Sequence, residues 1–351
     1  MSIKNVAKRA GVSIGTVSNV LNGTKPVSEA LKQRVLQAVK ELDYQKSAAA
    51  SALKTKKTHN IGVVFTSLTG VFFPAVLRGI QSKARELGYS VCVYESAEDA
   101  AYERELVRRI VSSWIDGLII ASFTNSTDPE NIEYWKMLDN LNHNGVALPV
   151  VNLEWKPEFS HNSAVIIDQV NASRTAAKHL IDLGHRSIGF ISGPTSSELV
   201  KLRRDGYRLA LEEANIPYQE KWVITDHYSP MVGYNGMQAL LEQQEVTAVL
   251  CGNDQIGVGA VWAAISQGMR IPEDVAVMGF DNSFAGSLTT PSLSTINIPR
   301  FSMGTLAMER LHYEIESETK PEPEVIELPA RLVVRQSTDL RGNSTWNLTD
   351  W

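Results

Sequence analysis

The chain has 351 residues, of which 43% are hydrophobic and 21% charged, a composition typical of a soluble globular protein with two or three domains. Residues 1–58 contain 11 Lys and Arg against 3 Asp and Glu, a net charge of +8, whereas the remainder contains 23 against 36, a net charge of −13. A basic end on an otherwise acidic chain is typical of a nucleic-acid-binding segment, and the absence of an apolar run of about 18 residues excludes a membrane-spanning helix.

The first residues and the cysteines indicate the compartment. Lys4, Lys8 and Arg9 interrupt any apolar stretch that could form the core of a secretory signal peptide. Cys92 and Cys251 are the only cysteines, and each lies in an apolar, strand-like run, which favours a buried free thiol over a disulfide or a metal ligand. The chain is therefore expected to remain in the cytoplasm and to have no membrane partner.

Two short helices are predicted at the start of the chain. Gly11 lies between them and permits the backbone to turn, and Ser13 can accept hydrogen bonds from the free amides of the second helix. Apolar residues recur on one face of each helix, at Ile3, Val6, Ala7 and Ala10 in the first and at Val17, Val20 and Leu21 in the second. This layout predicts a helix-turn-helix, whose second helix enters the major groove of DNA. An ordinary helical hairpin is the alternative, and the basic charge favours DNA.

The order of residues in these helices is more specific than their spacing. The segments VAKRAGVS and TVSNVLN stand at residues 6–13 and 16–22, and they resemble the DNA-binding region of the lac-repressor (LacI/GalR) family of transcriptional regulators. The resemblance implies a DNA-binding head over residues 1–45 and a function as a transcriptional repressor. It also implies a homodimer that binds a palindromic operator in double-stranded DNA.

The second helix carries the residues expected to contact DNA. Its first turns face base edges in a helix-turn-helix, so Ile14, Gly15 and Asn19 are predicted to lie against the bases. An asparagine can make two hydrogen bonds to adenine, and an isoleucine can contact a thymine methyl group. Phosphate contacts are predicted for Thr16, Ser18 and Asn22. Thr16 and Ser18 could instead bond to the local backbone.

A third helix is predicted to complete the head. Its apolar face consists of Leu31, Val35, Ala38, Val39 and Leu42, and Ser28 precedes it as the expected N-cap. This face should pack against the first two helices.

Residues 46–59 are predicted to link the head to the rest of the chain. They have good helix propensity but almost no apolar surface, and a short helix of this kind is marginal in water, so alone they predict a flexible linker. The resemblance instead implies a hinge helix that forms on DNA, with Leu53 inserted between base steps of the minor groove and Lys54 near the phosphates.

From residue 60 onwards, apolar runs alternate with helices. Uninterrupted apolar strands separated by helices predict parallel sheets covered on both faces, and two successive sets predict two doubly wound subdomains. The fold class is thus an all-α head followed by an α/β body, which resembles the periplasmic-binding-protein architecture of the family. The body is predicted over 60–340, with one subdomain at about 60–160 and 293–324 and the other at about 161–292 and 325–340. The tail, 341–351, has no leucine heptad, which favours a dimer over a tetramer.

An effector site is predicted between the two subdomains, because open α/β sheets bind ligands beyond the carboxyl ends of their strands. Polar residues follow apolar runs at Thr66, Asn152, Asn253 and Asp281. The resemblance adds further residues from connecting segments, namely Phe72, Phe73, Arg203 and Tyr228. An arginine fork, two amides and a carboxylate among aromatic rings suit the hydroxyls and CH faces of a sugar.

Each of these residues also has a purely structural interpretation. Asp281 could cap the loop that follows it, Arg203 could pair with an acidic neighbour on its helix, and Phe72 could belong to the core. As a set they favour a ligand. Ser197 and Leu199 replace residues that purine-responding members of the family use, which favours a carbohydrate. A nucleobase or a protein co-regulator is the alternative.

Enzyme and transport functions fit the sequence less well. Residues 257–262 resemble a dinucleotide-binding fingerprint, but they lie within a predicted helix and end in Trp262, so helix–sheet packing explains their glycines. The sequence contains no phosphate-binding loop, no His-Glu-x-x-His and no Gly-x-Ser-x-Gly, and its seven histidines lack the spacing of metal ligands. A sugar-binding transport protein would require export. We therefore expect no enzymatic activity, no catalytic residues, no metal and no cofactor.

Overall fold

The computed structural model describes residues 2–23, 25–44, 57–113, 115–143 and 145–343. The chain forms two compact units, Met1–Thr58 and His59–Trp351. Most of the predicted hinge, including Leu53 and Lys54, lies outside the described residues, as does most of the predicted tail. Within the described residues, no helix is long and apolar enough to cross a membrane.

The first unit consists of three helices, α1 (Ile3–Ala10), α2 (Ile14–Asn22) and α3 (Glu29–Glu41). Gly11 ends α1 in the left-handed conformation with φ 63°, which costs a glycine little, and its N–H donates to carbonyls of the last turn. The Ser13 hydroxyl accepts from the Thr16 N–H at 3.1 Å and begins α2. The predicted helix-turn-helix is confirmed, with its turn at Gly11 and its cap at Ser13.

The three helices share one apolar core. Its buried residues come from all of them: Val6, Ala7, Ala10, Val17, Val35 and Ala38. Arg34 of α3 also reaches the turn, where its Nη2 donates to the carbonyl of Ala10 at 2.5 Å. Ser28 is the N-cap residue of α3, as predicted. Its exposed side chain makes no capping hydrogen bond within the described part of the head.

The second unit contains the remaining elements. Its strands are β1 (Asn60–Phe65), β2 (Ser90–Glu95), β3 (Gly117–Ile120), β4 (Asn142–His143), β5 (Val146–Ala147), β6 (Val150–Glu154), β7 (Ser163–Ile167), β8 (Ile188–Ser192), β9 (Val223–Thr225), β10 (Ala248–Cys251), β11 (Ala276–Met278), β12 (Thr295–Asn297), β13 (Val325–Leu328) and β14 (Arg331–Val333). Its helices are α4 (Phe73–Leu87), α5 (Ala100–Val111), α6 (Pro129–Asp139), α7 (Gln169–Asp182), α8 (Glu198–Glu213), α9 (Pro230–Glu242), α10 (Asp254–Ser266), α11 (Phe284–Ser287) and α12 (Arg300–Glu316).

Two parallel sheets organise this unit, as predicted. Six strands form the sheet of the first subdomain, in the order β13-β7-β6-β3-β1-β2, and four form that of the second subdomain, in the order β11-β10-β8-β9. Residues of β3, β6, β8 and β10 are buried throughout, because helices cover both faces of each sheet. Two small antiparallel pairs, β4 with β5 and β12 with β14, complete the sheets.

Two strands lie in a different subdomain from the one predicted. β7 pairs with β6, and β13 pairs with β7, so residues 163–167 and 325–328 belong to the sheet of the first subdomain. The second subdomain was predicted to begin at residue 161 and to resume at residue 325. In the structure it begins only after β7 and resumes only after β13. An apolar run predicts a strand that is buried on both faces, but it does not specify the neighbours of that strand.

Helices α4 and α12 pack closely on the first subdomain. A side-chain carbon on Gly304 of α12 would collide with the carbonyl oxygen of Val76 in α4, and one on Gly79 would collide with the carbonyl oxygen of Phe301. Small residues are therefore required where these helices cross. The neighbouring Met303 is fully buried in the same core.

Replacing Gly304 with alanine should destabilise the protein by about 1–3 kcal/mol, because the added methyl group forces α4 and α12 apart. Urea denaturation followed by tryptophan fluorescence measures this change. Ser302→Ala is the control, since Ser302 is exposed on the same helix and its loss should change stability by less than about 0.5 kcal/mol. Equal stabilities of the two variants would contradict the close packing.

Candidate functional site

The exposed surface of α2 is the candidate DNA interface. Ile14 is 44% exposed at the start of the helix, next to the exposed Gly15, while Ser18 and Asn19 are half-buried. The Thr16 hydroxyl lies 3.0 Å from the Ser13 hydroxyl, so it takes part in the local structure of the turn. The side chain of Asn22 lies outside the described residues.

The charge of α1 and α2 is entirely positive. Their sequence from Ile3 to Asn22 contains Lys4, Lys8 and Arg9 and no acidic residue. Arg9 pairs with Glu41 of α3 at 2.5 Å, on the surface of the bundle. All three cations belong to α1 and α2 itself is uncharged, so neither helix contributes a carboxylate that would repel a phosphate.

In the second unit, Arg203 of α8 is the most extensively bonded of the predicted effector residues. Its side chain is 4% exposed. Nε donates to Oε1 of Gln169 at 2.9 Å, and Nη1 donates to the carbonyl of Gly252 at 2.5 Å. The guanidinium carbon lies 3.9 Å from the centre of the Phe280 ring, and Nη2 lies 3.8 Å from Oδ1 of Asp281. The positive charge of Arg203 is thus held between the ends of several strands.

Asp281 follows β11 and faces this guanidinium. Its backbone has φ 103°, a strained conformation for a residue with a side chain, and its N–H donates to the carbonyl of Ile296 at 2.9 Å. Burial raises the pKa of Asp281 to about 8, although Arg203 opposes that shift. Among the described residues, Asp281 Oδ1 has no hydrogen-bond partner. A buried acceptor of this kind requires a ligand, a water molecule or a proton.

Asn152 and Tyr228 also present buried polar atoms. Asn152 lies within β6 rather than beyond it, and its Nδ2 donates to the carbonyl of Ser163 at 3.3 Å. In the part of the chain that the structure describes, neither Asn152 Oδ1 nor the Tyr228 hydroxyl has a hydrogen-bond partner. Burial raises the pKa of Tyr228, and the charges of Arg203 and Asp281 also act on it. Tyr228 therefore lies near the same charged pair.

The remaining predicted residues have clear structural roles or lie at the margin. Asn253 caps α10, since its Oδ1 accepts from the Ile256 N–H at 2.9 Å. Phe73 stacks on Phe65 with ring centres 4.6 Å apart, and Phe72 meets Phe73 edge to face at 5.1 Å. Both Phe72 and Phe73 are buried in the core of the second unit. Thr66 is half-buried directly after β1.

Glu154, the last residue of β6, was not among the predicted effector residues. It is 5% exposed and has φ 67°. Burial raises the pKa of Glu154 to about 7, against the opposing charge of Arg203. In the sequence, Leu153 continues the apolar run past Asn152, so Glu154 is the first residue beyond its end. That signal was available in the sequence.

Asp254 and Arg300 hold the loop that carries Asp281. Asp254 accepts from the Ser283 N–H at 2.5 Å, and burial raises its pKa to about 6. Arg300 donates through Nη2 to the carbonyl of Asn282 at 2.9 Å and through Nη1 to the carbonyl of Val71 at 3.1 Å. Val71 follows β1, so Arg300 joins a loop of the first subdomain to a loop of the second.

Known proteins resemble both units of the chain. Residues 2–47 match the profile of bacterial regulatory proteins of the lacI family, and residues 177–338 match a periplasmic binding protein-like domain. Repressors described as HTH-type transcriptional repressor PurR, from Photorhabdus laumondii and Escherichia coli, are each 35% identical to the chain over 96% of both sequences. The chain belongs to the LacI family.

Solved structures of the family agree with this assignment. The crystal structure of the lac repressor dimer bound to operator and the anti-inducer ONPF has a TM-score of 0.84 at 28% identity, over 96% of this chain and 99% of that chain. The complex of the transcriptional regulator CelR with cellobiose has a TM-score of 0.70 at 29% identity, over the same shares. The chain is a DNA-binding repressor of the LacI family, and the prediction that it is not an enzyme is confirmed.

Replacing Asp281 with asparagine should remove part of the pH dependence of stability. The pKa of Asp281 is about 8 in the folded protein, against an ordinary value of 3.8, so between these values the folded state retains a proton that the unfolded chain releases. The contribution of Asp281 to the free energy of unfolding is therefore largest below the ordinary value and is lost as the pH rises through about 8. We expect urea denaturation to show that Asp281→Asn gains stability relative to the wild type between about pH 5 and about pH 8.5.

Asp274→Asn is the matched control. Its pairing with Arg270 lowers the pKa of Asp274 to about 2, so its contribution is lost only as the pH falls below the ordinary value. Across the higher range, the stability difference between Asp274→Asn and the wild type should be constant. A constant difference for Asp281→Asn as well would contradict a protonated Asp281.

Proposed function

We propose that the protein is a dimeric repressor that binds a palindromic operator through α2 and releases or tightens it when a carbohydrate binds near Arg203 and Asp281. The observation that carries the proposal is the buried Arg203–Asp281 pair, which lies at the carboxyl ends of the strands and leaves an acceptor oxygen unpartnered within the described residues. In this proposal, residues 1–45 are the head, 46–59 the hinge and 60–340 the body.

On the DNA side, the exposed start of α2 supports the predicted contacts. An apolar side chain as exposed as Ile14 is suited to a thymine methyl group, and Asn19 is proposed to read an adenine. The residues proposed for the phosphates are Thr16, Ser18 and Asn22, and those proposed for the minor groove are Leu53 and Lys54.

The chemistry of the body favours an effector that donates hydrogen bonds. Arg203 already donates to Gln169 and Gly252, whereas Asp281 and Asn152 each have an acceptor oxygen without a partner among the described side chains. Sugar hydroxyls supply donors, and the CH face of a sugar can pack on an aromatic ring. The complex of the CelR relative with cellobiose supports the same class of ligand.

A nucleobase is the second candidate, because its ring N–H and amino groups could also donate to the unpartnered oxygens of Asp281 and Asn152 among the described residues. Either effector can change operator affinity only by the difference in free energy with which it binds the two states of the protein. A hundredfold change requires about 2.7 kcal/mol.

The homodimer is supported by an apolar surface on α9 and α10. Trp262 is 69% exposed, Met231 is 63% exposed and Ile265 is 47% exposed. The Tyr234 hydroxyl of α9 lies 3.3 Å from the Ser266 hydroxyl of α10, which places the two helices side by side. We propose a second copy of the chain as the occupant of this surface, and the similar lac repressor is itself a dimer.

Replacing Asn19 with alanine should weaken binding to a specific operator but not to bulk DNA. In fluorescence anisotropy titrations, the free energy of binding to an operator selected from random duplexes should weaken by about 1–3 kcal/mol, the cost of one base contact. Lys25→Ala is the control, because the loss of an exposed lysine that contacts phosphate should lower the affinity for every duplex and reduce the salt dependence. If Asn19→Ala weakened binding to selected and random duplexes equally, Asn19 would not be a residue that recognises a base.

Replacing Arg203 with alanine should abolish the effector response while leaving operator affinity without effector within about twofold of the wild type. A thermal-shift panel of neutral sugars, sugar phosphates and nucleobases identifies the compound, and operator titrations with that compound measure the response. Arg203→Lys is the milder variant, since it keeps the charge but loses the planar fork.

Arg174→Ala is the control for this experiment, because Arg174 on α7 forms a partly exposed ion pair with Glu213. It should respond to the effector like the wild type. A full response in Arg203→Ala would show that the effector binds elsewhere, and a response only to nucleobases would favour the second candidate.

A further inference from the structure

The first turn of α8 contacts the first subdomain, although the helix belongs to the second. The contact is made with the β3–α6 loop, residues 121–128. Glu198 is 6% exposed, and its two carboxylate oxygens accept from the N–H and the hydroxyl of Ser126, each at 3.1 Å. Asn125 Nδ2 also donates to the carbonyl of Ser196 at 3.4 Å. A buried carboxylate needs such partners to offset its loss of water.

Apolar contacts extend this docking along α8. Leu199 and Leu202 pack against the core cluster of the first subdomain that contains Trp135 and Trp155. These two tryptophans lie with ring centres 5.3 Å apart, so the surface that receives the leucines is large and apolar. The beginning of α8 is thus fixed to the first subdomain by both polar and apolar contacts.

One turn further along the helix, Arg203 is fixed to the second subdomain. Its partners Gln169, Gly252 and Phe280 all belong to that side. A single helix therefore joins a docking contact at Glu198 to the proposed effector site at Arg203. Any displacement of the first turn of α8 must move the guanidinium or break its bonds.

We propose that Glu198 is a positioning residue for effector recognition: by docking α8 on the β3–α6 loop, it determines where Arg203 stands in the cleft. This proposal rests on the proposed function, in which Arg203 contacts the effector. Glu198 itself does not touch the effector. A carboxylate in the first turn also interacts favourably with the helix dipole, so the experiment must separate that effect from docking.

Amide hydrogen exchange of the full chain, without effector, tests the proposal. We expect Glu198→Ala to accelerate exchange about tenfold in the segments 121–128 and 196–204 and to accelerate it also in 279–283, which faces Arg203. Glu198→Gln keeps an oxygen that can accept from the Ser126 N–H, so its exchange should stay within about threefold of the wild type. Ser126→Ala should accelerate hydrogen exchange in 121–128 and 196–204 less than Glu198→Ala does. Combining Ser126→Ala with Glu198→Ala should accelerate exchange no more than Glu198→Ala alone.

The control is Glu212→Ala, which removes an exposed carboxylate from the same helix and should leave all three segments unchanged. Unchanged hydrogen exchange in the loop 121–128 of Glu198→Ala would contradict the docking role of Glu198. Equal effects of Glu198→Ala and Glu198→Gln would assign the role of Glu198 to its charge, through the helix dipole and its ion pair with Lys201 at 3.3 Å. Unchanged exchange in 279–283 would break the link to Arg203. Because this readout needs no effector, a panel without any binder would contradict the proposed function but not the docking.

Discussion

The arrangement of the cleft depends on the burial of one guanidinium group. A buried cation must find acceptors for its N–H groups, and Arg203 takes them from the start of α7 and from the loop after β10. Phe280 covers one face of the group, and Asp281 stands opposite it. Arg203 therefore brings together segments that follow different strands, and it does so at the carboxyl edge where α/β sheets bind ligands.

A second buried arginine links the two subdomains. Arg300 bonds to the carbonyl of Val71 in the first subdomain and to that of Asn282 in the second, next to Asp281. The chain itself passes between the subdomains after β7, after β12 and after β13. Contacts at Arg300 and at Glu198 thus join the second subdomain to two different loops of the first, those after β1 and β3. A rearrangement between them must exchange discrete contacts, which is the physical basis of a two-state switch.

The sequence was sufficient to predict the head and the two parallel sheets, because glycine, serine and apolar spacing act locally. It was not sufficient to place β7 and β13, since the neighbours of a buried parallel strand depend on the whole sheet. Within the site, Arg203 and Asp281 were predicted and lie together, whereas Asn253 proved to be a helix cap. The contact of Glu198 with Ser126 was missed because polar partners 72 residues apart carry no local pattern.

The buried carboxyl groups beside Arg203 bear on the kind of effector that the proposed site would accept. Burial raises the pKa values of both Glu154 and Asp281, so these groups are poorly solvated and keep their protons to a higher pH than usual. A phosphate or carboxylate on the effector would have to lose its own water in the same buried environment, where two nitrogens of Arg203 already donate to Gln169 and Gly252. A neutral sugar avoids that cost, because its hydroxyls can donate to the carboxyl oxygens without adding charge.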